Sequence, residues 1–128
     1  MNETVLVVDD DLLIRELVDI TLTQAGYRVI TASSGVTALE LFRRTKIDAV
    51  LLDLHMPRMD GLAVLASMNR LARPRPPVLI MTADSGEDRV REASRLGCTG
   101  YLVKPFPPES LCTRVQTAIQ MHRQRLSN

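Results

Sequence analysis

Five times along this chain of 128 residues, a short apolar run is followed by a longer stretch with apolar residues at helical spacing. The runs are Val5 to Val8, Tyr27 to Thr31, Ile47 to Leu52, Val78 to Met81 and Thr99 to Val103. The first has no polar alternation, so both of its faces must be covered. Alternating strand and helix units of this kind lead to a parallel sheet with right-handed crossovers and helices on both faces, an α/β doubly wound fold with five strands and five helices. Every strand of such a sheet points its carboxyl end at one rim, and ligands bind there.

Leu12 to about Ala25 carries Ile14, Leu17, Val18, Thr21 and Leu22 at helical spacing and stops at Gly26. Ser33 or Ser34 is placed to cap a second helix that buries Val36, Ala38, Leu39 and Phe42. A loop from His55 to Gly61 precedes a third helix, about Leu62 to Ala72, with Leu62, Leu65, Met68 and Leu71 inward. Prolines at 74, 76 and 77 keep the next segment extended. Glu87 to Leu96 reads as a charged helix with few apolar positions, the least well held of the five. The last helix runs from Pro108 to about Arg125. The length fits one domain, 1–128, with residues 1–3 and 124–128 as tails.

A net charge of +1 gives no broad electrostatic footprint for nucleic acid or anionic lipid. Aromatics at 3% without tryptophan argue against a base-stacking platform. Direct nucleic-acid binding and membrane association are therefore not expected, and the longest apolar run is far short of a span. No secretory leader is readable ahead of the first strand, so the expectation is a cytoplasmic protein with two reduced thiols, Cys98 and Cys112.

Acids gather where packing alone would not put them. Asp9, Asp10 and Asp11 close the first run, and Asp53 closes the third. Like charges about 4 Å apart repel by roughly 4 kcal/mol at an effective dielectric near 20. Folding tolerates that crowding where a divalent cation or phosphoryl transfer requires it. Asp11 is equally well explained as a helix cap. Thr82 and Lys104 end the fourth and fifth runs, so Asp9, Asp10, Asp53, Thr82 and Lys104 converge on one rim. Carboxylate oxygens suit magnesium. One carboxylate can then act as nucleophile toward a phosphoryl group whose oxygens the cation, the lysine and the threonine neutralise.

The fragments Val7-Val8-Asp9-Asp10-Asp11, Leu52-Asp53-Leu54-His55-Met56-Pro57-Arg58-Met59-Asp60-Gly61, Met81-Thr82-Ala83 and Tyr101-Leu102-Val103-Lys104-Pro105-Phe106 stand in order at the strand ends. With them, the chain resembles the receiver domains of two-component response regulators, chemotaxis receivers among them. The resemblance spans essentially the whole length and implies a flavodoxin-like sheet of order 2-1-3-4-5. It implies Asp53 as phosphoacceptor, taking a phosphoryl group from a sensor histidine kinase or a histidine phosphotransfer protein. Mg2+, or Mn2+ in its place, would be held by Asp10, by Asp9, by Asp53 and by the main-chain carbonyl of His55. Lys104 would pair with the phosphoryl group through a cis bond to Pro105, and Thr82 would donate its hydroxyl. Ala83 is small enough to admit the phosphoryl group.

The same resemblance implies a switch rather than an enzyme. Phosphorylation would draw Thr82 inward, Tyr101 would turn in behind it, and the face of the fourth helix, fifth strand and last helix would change for a downstream output protein or fused output domain. A phosphorylation-dependent dimer is a further expectation of partners. The segment Gly97-Cys98-Thr99-Gly100-Tyr101 lacks the acidic pair of winged-helix regulators, which argues against their charge-paired dimer. His55 and Asp84 stand two residues after Asp53 and Thr82, where receivers tune the lifetime of the acyl phosphate. Leu12 and Leu13, beside the acids, are candidates for docking the phosphodonor.

A rival from another class is a haloacid-dehalogenase-like phosphohydrolase, for which Asp9-Asp10-Asp11 supplies the D-x-D spacing. That reading leaves Asp53 without a role. A dinucleotide binder fares worse, since no glycine-rich turn follows the first strand.

Overall fold

The computed structural model describes residues 2–72, 74–83 and 88–127. Strands β1 (Thr4–Val8), β2 (Arg28–Ala32), β3 (Ala49–Asp53), β4 (Val78–Thr82) and β5 (Gly100–Val103) alternate with helices α1 (Leu12–Gln24), α2 (Gly35–Arg44), α3 (Gly61–Leu71), α4 (Asp88–Arg95) and α5 (Pro108–Ser127). All strand pairings are parallel, in the order β2-β1-β3-β4-β5. This is the doubly wound fold expected from the alternation.

Side chains along a strand point alternately to opposite faces, and here the alternation sorts the core into two layers. Leu6, Val8, Val50, Leu52, Val78 and Ile80 pack with Ala38, Leu39, Phe42, Val64, Leu65, Met68, Val90 and Ala93 of α2, α3 and α4. Val5, Val7, Ala49, Leu51, Leu79 and Met81 pack with Val18, Leu22, Leu111, Val115, Ala118 and Ile119 of α1 and α5. Burial of each such Val, Leu or Ile side chain contributes about 1.5–3 kcal/mol. The non-alternating runs are apolar because both faces of the three central strands are covered.

Short polar side chains start three of the helices. Asp11 accepts from the Leu13 amide, Ser34 from that of Thr37 and Asp60 from that of Ala63. Gly26, just past α1, has φ +99°, the left-handed conformation that ends helices. Both described cysteines are free, Cys98 beside the α2–α3–α4 layer and Cys112 beside the α1–α5 layer. None of the described helices is long and apolar enough to cross a membrane.

Four expectations about burial and ends need correction. Leu17 and Val36 are exposed (47% and 60%), because α1 faces the sheet with Val18 and Leu22 and α2 with Gly35, Ala38, Leu39 and Phe42. At about 100° per residue, Leu17 and Val36 each lie more than about 100° round the helix from the centre of that face. On α3, Val64 takes the core position, Leu62 is only partly buried, and Leu71 at the last turn is exposed while Ala72 packs inward. The last helix continues to Ser127, so residues 124–127 are helix rather than tail. Arg123 ties it to Glu3 at 2.9 Å.

Candidate functional site

Register brings the carboxyl ends of the strands level. Val8 pairs with Leu52, Asp53 with Met81 and Thr82 with Val103. The chain beyond each strand is held by main-chain bonds: the Asp9 amide donates to the Ala32 carbonyl at 3.2 Å, and the Lys104 amide to that of Thr82 at 2.7 Å. Asp9, Asp53 and Thr82 are buried at this rim, while Asp10 is exposed at its mouth. The Lys104–Pro105 bond is cis.

Lys104 Nζ lies 2.7 Å from one oxygen of Asp9 and 3.5 Å from one of Asp53. The other Asp9 oxygen accepts from the Asp11 amide at 3.0 Å, and the Arg15 guanidinium donates to the Asp9 carbonyl at 2.8 Å. Asp53 accepts the His55 amide at 3.1 Å, a local turn that fixes its carboxylate. One oxygen each of Asp9, Asp10 and Asp53 fall within 4.8 Å of one another.

Burial, and then the negative charge of Asp9, push the Asp53 carboxyl up to about 6, against the opposing His55 amide and Lys104 ammonium. Burial alone would lower the Lys104 ammonium, but the hydrogen bond to Asp9 and the charges of both acids together hold it above its ordinary value. Three clustered carboxylates answered by one ammonium leave negative charge in excess. An all-oxygen donor set of that charge fits a hard divalent cation such as magnesium.

Asp11 is outside this cluster and acts as the α1 cap. The His55 side chain is exposed, as is Ala83 at the mouth. Asp84 lies outside the described residues. Tyr101, expected to turn inward behind Thr82 on phosphorylation, is 37% exposed in the unmodified protein. On the edge strand β5, Leu102 takes the inward position, and the polar helix α4 leaves the other face partly open. Leu12 and Leu13 are exposed as expected, and Leu13 begins a longer apolar stripe with Leu17 and Ile20. Spacings of four and three residues put those three on one side of α1.

Two features escaped the sequence reading. Gly61 begins α3 against the backbone at the end of β3, and a Cβ there would stand 2.4 Å from the Asp53 carbonyl oxygen. Arg89, 29 positions from Asp60, pairs with it at 2.8 Å and donates to the Leu54 carbonyl at 3.0 Å. Burial would raise the Asp60 carboxyl, but Arg89 and the amides of Ala63 and Leu62 hold it below its usual range.

Residues 5–116 match the family model of the response regulator receiver domain, and the chain belongs to that family. It is 37% identical over 120 residues to ycf27 of Guillardia theta, a protein described as a probable transcriptional regulator, covering 93% of this chain and 46% of that protein. The chain thus spans about half the length of this curated relative. Its structure resembles the chemotaxis response regulator CheY4 of Vibrio cholerae, with a TM-score of 0.87 at 34% identity, covering 92% of this chain and 99% of that one. The receiver domain of the sensor histidine kinase PA1611 of Pseudomonas aeruginosa PAO1, solved with a magnesium ion in its active-site cleft, has a TM-score of 0.86 at 26% identity over 94% of this chain and 99% of its own. The phosphohydrolase reading finds no support in these matches.

Proposed function

We propose that this receiver accepts a phosphoryl group on Asp53 from a histidine kinase or histidine phosphotransfer protein and thereby changes the surface it offers to an output partner or output domain. The observation that carries the reading is the buried Asp53 carboxylate clustered with Lys104 and the acids Asp9 and Asp10. Asp53 also holds the central place here that a phosphohydrolase would leave without purpose. Asp9, Asp10 and Asp53, with the main-chain carbonyl of His55, would hold magnesium, which supplies charge neutralisation for the incoming phosphoryl oxygens. Lys104 would pair with those oxygens, and Thr82 would donate its hydroxyl to them. His55 and Asp84 would tune how readily water reaches the product.

Incubation with magnesium and acetyl phosphate should add one phosphoryl mass that peptide mapping places on Asp53. Asp53→Asn should abolish the label. A label on any other residue would overturn the assignment. The same substitution should stabilise the metal-free protein by roughly 1–3 kcal/mol at neutral pH, from a shift of about two pH units. Because the folded state holds the Asp53 proton more tightly than the unfolded chain does, wild-type stability falls as pH rises from about 4 to about 6. The advantage of Asn should therefore be full above that window and vanish below it. Denaturant melts in EDTA across this range measure it, and a pH-independent difference between the two proteins would contradict it.

The stripe of Leu13, Leu17 and Ile20 supports a phosphodonor docking on α1, with Leu12 at its edge. Leu13→Glu and Leu17→Glu should each slow transfer from a partner kinase about tenfold while leaving labelling by acetyl phosphate unchanged. Equal slowing with both donors would remove the docking role.

A further inference from the structure

Helix α4 is tied to the body less by packing than by two arginines. Its buried residues are Val90 and Ala93, and a cleft of about 430 Å³ runs along it, lined by Leu62, Asp88, Arg89, Arg91, Glu92 and Arg95. Beyond its carboxyl end the Arg75 guanidinium donates to the carbonyls of Leu96 at 3.3 Å and Gly97 at 2.6 Å. The Asn69 side chain donates to Leu96 as well, at 2.7 Å, and accepts from Arg75. Gly97 has φ +89°, and a Cβ there would come within 2.9 Å of the Arg75 guanidinium, so this turn is closely specified.

The amino end is held differently. Arg89 reaches out of α4 to two groups of the loop that leaves Asp53, the Leu54 carbonyl at 3.0 Å and the Asp60 carboxylate at 2.8 Å. The Leu54 carbonyl also accepts the Gly61 amide at 3.1 Å. Leu54 lies between Asp53 and His55, so Arg89 grips the backbone that positions the phosphoacceptor. The Arg89–Asp60 pair is about one-third exposed. Arg89 Nε is buried and has no hydrogen-bond partner among the described residues, so the seat satisfies the guanidinium only in part.

We propose that Arg89 is a positioning residue: a latch that holds the loop leaving Asp53 in its unmodified arrangement and is surrendered when Asp53 is modified, α4 turning about the Arg75–Asn69 clamp. The proposal rests on the receiver reading above and adds to it the group that sets the resting state. A contact made in one state and lost in the other biases the equilibrium by its own free energy, and the bias is reciprocal. Arg89 therefore makes the site harder to modify, and its removal makes modification easier. A brace with no switching role would do neither.

The test uses the full chain with magnesium and beryllium fluoride, a stable mimic of the phosphoryl group, titrated while the amide resonances of Val90 and Ala93 are followed. Arg89→Met should bind the mimic about five- to tenfold more tightly than wild type. Without the mimic, its Val90 and Ala93 resonances should already be displaced toward the wild-type bound positions. Asp60→Asn, which keeps the α3 cap because Asn caps as well as Asp, should give a smaller gain, and the double variant no more than Arg89→Met alone. Wild-type binding with unchanged or weaker affinity in both single variants, whatever their melting temperatures, would overturn the latch. If the wild type fails to bind, or Asp53→Asn binds as well as wild type, the receiver reading fails and takes the latch with it.

Discussion

Replacing Lys104 with methionine should cost the metal-free protein about 3–5 kcal/mol of stability at neutral pH, the range seen when one partner of a buried ion pair is removed. Methionine keeps most of the lysine stem, so packing changes little and the loss reports charge. Asp9 has no exposed surface and would lose its 2.7 Å partner, with Asp53 close by. The Asp53 carboxyl, already pushed up to about 6, should rise further, since one of the groups opposing its protonation is gone. The deficit should therefore be smaller in acid, where Asp53 is protonated and only the contact with Asp9 is lost, and grow as pH passes through and above about 6. Millimolar magnesium should restore part of it. Denaturant melts at acid and neutral pH, with magnesium and with EDTA, give all these quantities. A neutral-pH loss under about 1 kcal/mol would mean that the two acids are not held together by this ammonium.

Gly61→Ala should destabilise the protein by about 2–3 kcal/mol, although alanine is worth up to about 1 kcal/mol more than glycine in an ordinary helix. The added carbon would meet the Asp53 carbonyl oxygen at 2.4 Å, the Leu54 Cα at 2.8 Å and the Asp53 carbonyl carbon at 3.0 Å. All three are backbone atoms, so no rotamer change relieves the overlap. Relief requires α3 to back away from β3, moving the strand end that presents Asp53. Labelling by acetyl phosphate should slow in parallel with the fall in Tm. A variant as stable as wild type would show that the helix and strand are not packed this closely.

Most of the site was legible because strand ends are marked by abrupt changes of residue type. Asp9, Asp53, Thr82 and Lys104 each follow an apolar run, and parallel winding sends all such ends to one rim. The helix faces were less legible. Leu17 and Val36 belong to stripes wider than the face a sheet can cover, and periodicity does not say which edge of a wide stripe stays outside. Gly61 could be read as a turn residue, yet the close approach that demands glycine comes from a strand eight positions earlier. Arg89 with Asp60, and Arg75 with Asn69 and Gly97, were invisible because nothing in a charged helix or a proline-rich segment names a distant carbonyl. Asp84, expected beside the site, lies outside the described residues.

The sheet divides the helices unequally, α1 and α5 on one side, α2, α3 and α4 on the other. Under the proposed docking, a donor seated along Leu13, Leu17 and Ile20 would lie on the side of the sheet opposite α4. A reader of α4 would then meet a surface on the other side while the donor is still seated, and the two encounters would not have to take turns.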